Sequence, residues 1–138
     1  MYKINEKKMF FDVADGLAVV INTTTGMYYG TGLLGTAILN ALADGITPSK
    51  ILAKIRENAG CPDDFEKRLD SFVNELVSKE ILIPAEDSNE EPVFERDVYE
   101  EGFDLTLDEY AEVQDLLQAD PIHDVNEEMG WPVLGDPN

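Results

Sequence analysis

The stretch that decides the fold is Leu17-Ala-Val-Val-Ile-Asn-Thr-Thr-Thr-Gly26-Met-Tyr-Tyr-Gly30, continued by Thr31-Gly-Leu-Leu-Gly-Thr-Ala-Ile-Leu-Asn-Ala-Leu42-Ala-Asp-Gly45. Val19, Val20 and Ile21 are β-branched, stiff at χ1 and suited to a pleated strand. The threonines and Gly26 supply a turn, and Met27-Tyr28-Tyr29 restarts a strand. Leu33, Leu34, Ala37, Ile38, Ala41 and Leu42 then recur at helical spacing, and Asp44-Gly45 closes that helix with a residue suited to the left-handed cap. A hairpin packed under one helix is the expected nucleus of the domain. Gly35 costs its helix about 1 kcal/mol relative to Ala, which points to close approach by another backbone.

Upstream, Lys8-Met-Phe-Phe-Asp-Val13 reads as a first strand and Ala14-Asp-Gly16 as its tight turn. Three antiparallel strands in meander order follow, and the third, Met27 to Gly30, falls at an edge of the sheet. Unpaired N–H and C=O groups there would accept an extended chain. Downstream, Thr47-Pro48 is an N-cap with proline at the first helical position, and Ile51, Leu52 and Ile55 give that second helix a buried face. A third helix is expected from about Pro62-Asp-Asp to Lys79 or Glu80. Its Phe65, Leu69, Phe72, Val73, Leu76 and Val77 fall within about 140° of the wheel, with Arg68 and Lys79 at one border of the stripe. Ile81-Leu-Ile83 caps the core, and Pro84 ends the compact part. The expected organisation is a domain over residues 1–84 and an acidic, largely extended tail over 85–138.

Charge divides the chain at the same place. Up to Ile83 there are 9 Lys/Arg against 11 Asp/Glu; beyond it 1 stands against 18, so nearly all of the net charge of −19 lies in the tail. Nucleic-acid backbones and anionic membranes both require clustered cations, so neither is a partner of such a chain. Residues 85–92 have the composition of a polar linker. Thr106-Leu-Asp-Glu109 is a capping-box pattern, from which a short helix over 106–118 is expected, with Tyr110, Val113 and Leu117 on one side. Trp131 stands in an otherwise polar stretch. The tail is therefore either a solubilising extension or a docking segment in which these four residues engage a partner enzyme or fold back on the domain.

No catalytic constellation is legible, and the chain reads as a non-enzyme. The single cysteine, Cys61, lies far along the chain from the single histidine, His123, and has no base beside it. His123 with Asp124, Glu127 and Glu128 is not a zinc pattern and lacks the spacing of a calcium loop. No glycine-rich phosphate loop with a lysine is present, and no cofactor or metal is expected. One cysteine makes no internal disulfide, no signal-peptide core is evident and no long apolar run occurs, so the cytoplasm is the expected compartment.

Val19-Val-Ile-Asn-Thr-Thr-Thr-Gly26, Tyr28-Tyr29, Gly35-Thr-Ala-Ile38, Leu42-Ala-Asp-Gly45, Thr47 with its helix, and Phe72-Val-Asn-Glu-Leu76 running into Ile81-Leu82 together resemble the PqqD family. Members of that family act as recognition elements for ribosomally made, post-translationally modified peptides. The resemblance covers roughly residues 8–83. Two places depart from the family's usual residues: Thr31-Gly32 where Leu-Asn is common, and Leu39 where Trp is common. The likeness implies a small winged-helix-like α+β domain, a three-stranded antiparallel sheet followed by three helices. It also implies that the leader of a precursor peptide adds as a strand beside the third strand, against the third helix. Edge-strand physics reaches the same place independently, since main-chain bonds supply affinity there and side-chain pockets supply selectivity. Mapped onto this chain, the peptide site comprises Met27, Tyr28, Tyr29, Gly30, Arg68, Leu69, Phe72, Val73, Leu76 and Lys79, with the two cations meeting acidic leader residues. The implied partners are a precursor peptide and the enzyme that modifies it or a leader peptidase; dimerisation through the open sheet edge stays open. The alternative reading is a winged-helix-derived regulatory adaptor that acts on a protein rather than on DNA.

Overall fold

A computed structural model describes residues 1–111 of the chain. The meander forms as expected from β2 (Met9–Ala14), β3 (Leu17–Asn22) and β4 (Tyr28–Gly30), with Phe11 opposite Val20 and Val20 opposite Tyr29. The turn between β3 and β4 is held by Asn22, whose Oδ1 accepts the N–H groups of Thr24 and Thr25 at 2.9 and 3.1 Å. Gly26 completes it at a φ of 79°, a conformation in which a Cβ would be strained. The helices are α1 (Leu33–Ala43), α2 (Pro48–Ile55), capped by the Thr47 side chain, and α3 (Phe65–Ser78).

Two strands at the ends of the domain lie outside the sequence reading. β1 (Tyr2–Ile4) pairs antiparallel with β5 (Leu82–Pro84), closing the two ends of the domain on each other. The third helix is therefore followed by a strand, and Ile81 and Leu82 are fully buried, as the apolar run suggested.

The core lies between the inner face of the sheet and the three helices. Met9, Ala18, Val20 and Tyr29 come from the strands; Leu34, Ile38, Leu39 and Leu42 from α1; Ile51 and Ile55 from α2; and Phe65, Leu69, Phe72, Val73 and Leu76 from α3. The apolar wheel of α3 holds except at Val77, which ends the stripe on the solvent side at 38% exposure. Thr36, buried in α1, accepts the Ala18 N–H at 2.8 Å and so stitches the helix to the sheet.

The chain does not leave the core at Pro84. Residues 85–92 carry no regular structure but are tied down: the Ala85 N–H donates to the Met1 carbonyl, the Ser88 N–H to the Gly45 carbonyl, and Lys50 pairs with Glu91 at 3.2 Å. A 3₁₀ turn follows at Arg96–Tyr99, and Phe94, Val98, Tyr99, Phe103, Leu105 and Leu107 all pack half-buried against the core. The helix expected over 106–118 is not what its first residues form. Asp108–Tyr110 is a strand, β6, paired antiparallel with β4, so that the four-stranded sheet runs β2-β3-β4-β6. A lone helix with a narrow apolar stripe has little to bury, whereas the open edge of β4 supplies main-chain partners at once. For the same reason β4 is no longer an edge: among the described residues the edges are β2 and β6. Val113, Leu117 and Trp131, with His123 and the rest of the tail, lie outside the described residues. No helix among the described residues is long and apolar enough to cross a membrane.

Candidate functional site

The candidate site assembled by these elements is the cleft between β4 and α3. Successive strand residues face opposite sides. Tyr29 turns inward and is 5% exposed, while Tyr28 turns outward, half-buried in a cross-sheet row with Phe10, Ile21 and Tyr110. The Asn22 N–H bonds the Met27 carbonyl at 2.8 Å, and counting the antiparallel alternation from there directs the peptide groups of Tyr28 and Gly30 away from β3. Those two residues therefore make the hydrogen-bonded pairs with Tyr110 and Asp108. Tyr29 and Glu109 form the intervening pair, in which the side chains lie closer together.

Along the other wall, Phe65, Leu69, Phe72, Val73 and Leu76 are buried. Arg68 and Lys79 stand at the border, as the wheel placed them, and both hold carboxylates of the chain's own tail. Arg68 Nη1 reaches Asp104 Oδ1 at 3.1 Å and the Phe103 carbonyl at 3.5 Å, while its Nε pairs with Asp64 at 3.1 Å. Lys79 Nζ pairs with Glu109 Oε1 at 2.8 Å. Phe103 sets its ring edge-on to Phe65 with centroids 6.0 Å apart and packs beside Tyr99 at 5.5 Å.

Two further residues, neither of them among the expected site residues, hold this segment. The Thr31 hydroxyl donates to the Thr106 carbonyl at 2.6 Å. The first turn of α1 has no side-chain cap from its own N-cap residue, Gly32, and the Leu33 N–H instead meets Glu101 Oε1 at 3.5 Å, a carboxylate at the favourable end of the helix dipole. Gly35 has its explanation here, and it differs from the expected backbone approach: a Cβ at that position would run into the Thr31 hydroxyl. We expect Gly35→Ala to gain about 1 kcal/mol of helix propensity and to lose about 1–3 kcal/mol to overpacking. The net result is a lower denaturation midpoint with loss of the Thr31 hold on Thr106, read from the Thr31 methyl and Thr106 NMR signals.

The signal for this segment is present in the sequence as Phe103-x-Leu105-x-Leu107-x-Glu109, an alternation of period two whose apolar members are the half-buried ones. The capping-box reading of Thr106 and Glu109 competes with it over the same residues, and the two patterns are separated only by what lies across the cleft.

Electrostatics tie the cleft together. Burial pushes the Tyr29 hydroxyl above its ordinary 10.0, Glu109 adds to the rise and Lys79 opposes it. The hydrogen bond and charge of Glu109 push Lys79 above its ordinary 10.5. Both groups hold their protons more tightly in the folded chain than in the unfolded one. Their stabilisation is complete below those ordinary values and is lost as the pH rises through the raised ones. A titration followed by phenolate absorbance and lysine side-chain NMR should show β6 releasing above about pH 10. Glu109→Gln should return Lys79 toward its ordinary value and lower Tyr29, whose remaining rise from burial is still opposed by Lys79. Elsewhere, burial raises the Cys61 thiol, the opposite of nucleophile activation.

The chain has counterparts among known proteins. The family described as Coenzyme PQQ synthesis protein D (PqqD) matches residues 18–82. Residues 18–82 are similar to that family. The chain is similar to TbiB1, whose structure was solved in complex with the TbiA(beta) leader peptide: 28% sequence identity, a TM-score of 0.52, and a match covering 62% of this chain and 99% of that one. No curated protein matches the chain. The region matched by the family ends before the 3₁₀ turn and β6, so the segment lying in the cleft is an addition to it.

Proposed function

We infer that the protein recognises the leader segment of a ribosomally made precursor peptide and presents it, without catalysis of its own, to a modifying enzyme or leader peptidase. The observation that carries the reading is the likeness of the chain to TbiB1, a protein solved with a leader peptide, together with a β4 flank that pairs with an extended segment. The leader would add beside β4, its main chain bonded at Tyr28 and Gly30 and its carboxylates directed to Arg68 and Lys79. Strand addition would provide affinity, and holding the substrate at the enzyme would raise its effective concentration to about the millimolar range. A labelled synthetic precursor leader is titrated against the full chain, and amide shifts are mapped at saturation. Saturable binding with shifts gathered at residues 27–30 and on α3 supports the reading. Absence of saturable binding, or shifts elsewhere, overturns it.

A further inference from the structure

The segment in the cleft is matched to it along its length. From Phe65 to Lys79 the α3 axis advances by about 21 Å at 1.5 Å per residue. From Phe103 to Glu109 an extended chain covers about 20 Å at 3.3–3.4 Å per residue. Its contacts keep the same order as the helix, with Phe103 on Phe65, Asp104 on Arg68 and Glu109 on Lys79. Phe103, Leu105 and Leu107 turn toward the core, and Asp104, Thr106 and Asp108 lie exposed between them. This is the pattern of a bound peptide: main-chain pairing along one side, alternate side chains in the cleft and a carboxylate toward each end.

We propose that residues 103–110 are an internal pseudo-leader, a tethered competitor that fills the β4–α3 cleft and that a precursor's leader must displace. The proposal rests on the leader reading above. It also specifies the chemistry of the displacing peptide: an extended segment with apolar residues at every second position and carboxylates spaced to reach Arg68 and Lys79. The hold is built to be broken. Both ion pairs are solvent-exposed to a third or more of their side-chain surface, β6 is three residues long, and the apolar side chains are only half-buried. Such contacts open locally without unfolding the domain. Because the competitor is covalently attached, it acts at a fixed effective concentration, and a free peptide binds only if it outdoes it. The tail lowers the apparent affinity of every free peptide by the same factor, so at low concentration only a peptide that binds the open cleft tightly occupies it.

The test uses the full chain in three forms: wild type, Asp108→Pro, which removes the N–H directed at Gly30, and Glu109→Lys, which sets like charges together at Lys79. The first probe is a labelled synthetic peptide of residues 101–111. It should bind both variants saturably and at least about tenfold more tightly than it binds wild type, since the vacated cleft no longer has a tethered occupant. The second probe is the labelled precursor leader, which should bind the variants about three- to tenfold more tightly and should be displaced by the 101–111 peptide. Equal affinity of the first probe for all three chains overturns the proposal, as does a leader that binds without being displaced. If the 101–111 peptide binds the variants while no leader binds any form, the leader reading fails and the pseudo-leader role falls with it, yet filling of the cleft by the tail stands as a separate result.

Discussion

Phe65→Ala should lower the unfolding free energy by about 3–5 kcal/mol, a shift in thermal midpoint of roughly 10 °C or more for a domain of this size. Phe65 is fully buried at the start of α3 and is also the ring on which Phe103 stands, so its removal leaves a cavity under two layers at once. Thermal denaturation followed by circular dichroism measures the first effect. Limited proteolysis measures the second, as new cleavage within residues 99–110 at temperatures where the domain remains folded. Phe103→Ala separates the two. Its side chain is only half-buried, so it should cost about 1–2 kcal/mol and expose the same segment to protease with little change in the core. If Phe65→Ala alone exposes the segment, the tail is held by the integrity of the domain and not by the ring contact.

The meander and the three helices were legible because their signals are local. Val19, Val20 and Ile21 favour a strand wherever they stand, Asn22 to Gly26 can close only a tight turn, and the spacing of Phe65, Leu69, Phe72, Val73 and Leu76 fixes a helix face without reference to anything across from it. β1 was not legible: Tyr2-Lys3-Ile4 is too short for its alternation to mark a strand, and it acquires strand geometry beside Leu82 to Pro84. Residues 106–110 carried two patterns of equal local merit, the cap of Thr106 and Glu109 and the alternation through Leu105 and Leu107. Glu109 bonds Lys79 rather than reaching back to Thr106, and the Thr106 carbonyl is used by Thr31. The site was half legible in the same sense. Arg68 and Lys79, expected to meet acidic residues of an added strand, hold Asp104 and Glu109 of the chain's own tail, since a helix border names the charge of its partner and not the chain that carries it.

That difference bears on how binding at β4 can be tested without disturbing the fold. Gly30→Pro should reduce affinity for the precursor leader by about 1–3 kcal/mol, roughly five- to 150-fold. The Gly30 N–H points away from β3, so proline leaves the β3–β4 ladder with its bonds and removes only the donor offered to the added strand. The nearest atom to a Cβ built at Gly30 is the Ala18 carbonyl at 3.9 Å, an ordinary contact, so the ring is accommodated on that side. The same substitution removes a bond to Asp108 and loosens the tail, which on its own would strengthen leader binding. The two effects therefore oppose each other in the full chain, and the loss should be largest when Gly30→Pro is added to Asp108→Pro, where the tail is already released. Isothermal titration on the single and double variants gives both terms. A leader that binds the double variant as tightly as it binds Asp108→Pro alone does not use the β4 main chain, and recognition would then have to reside in the side chains of α3.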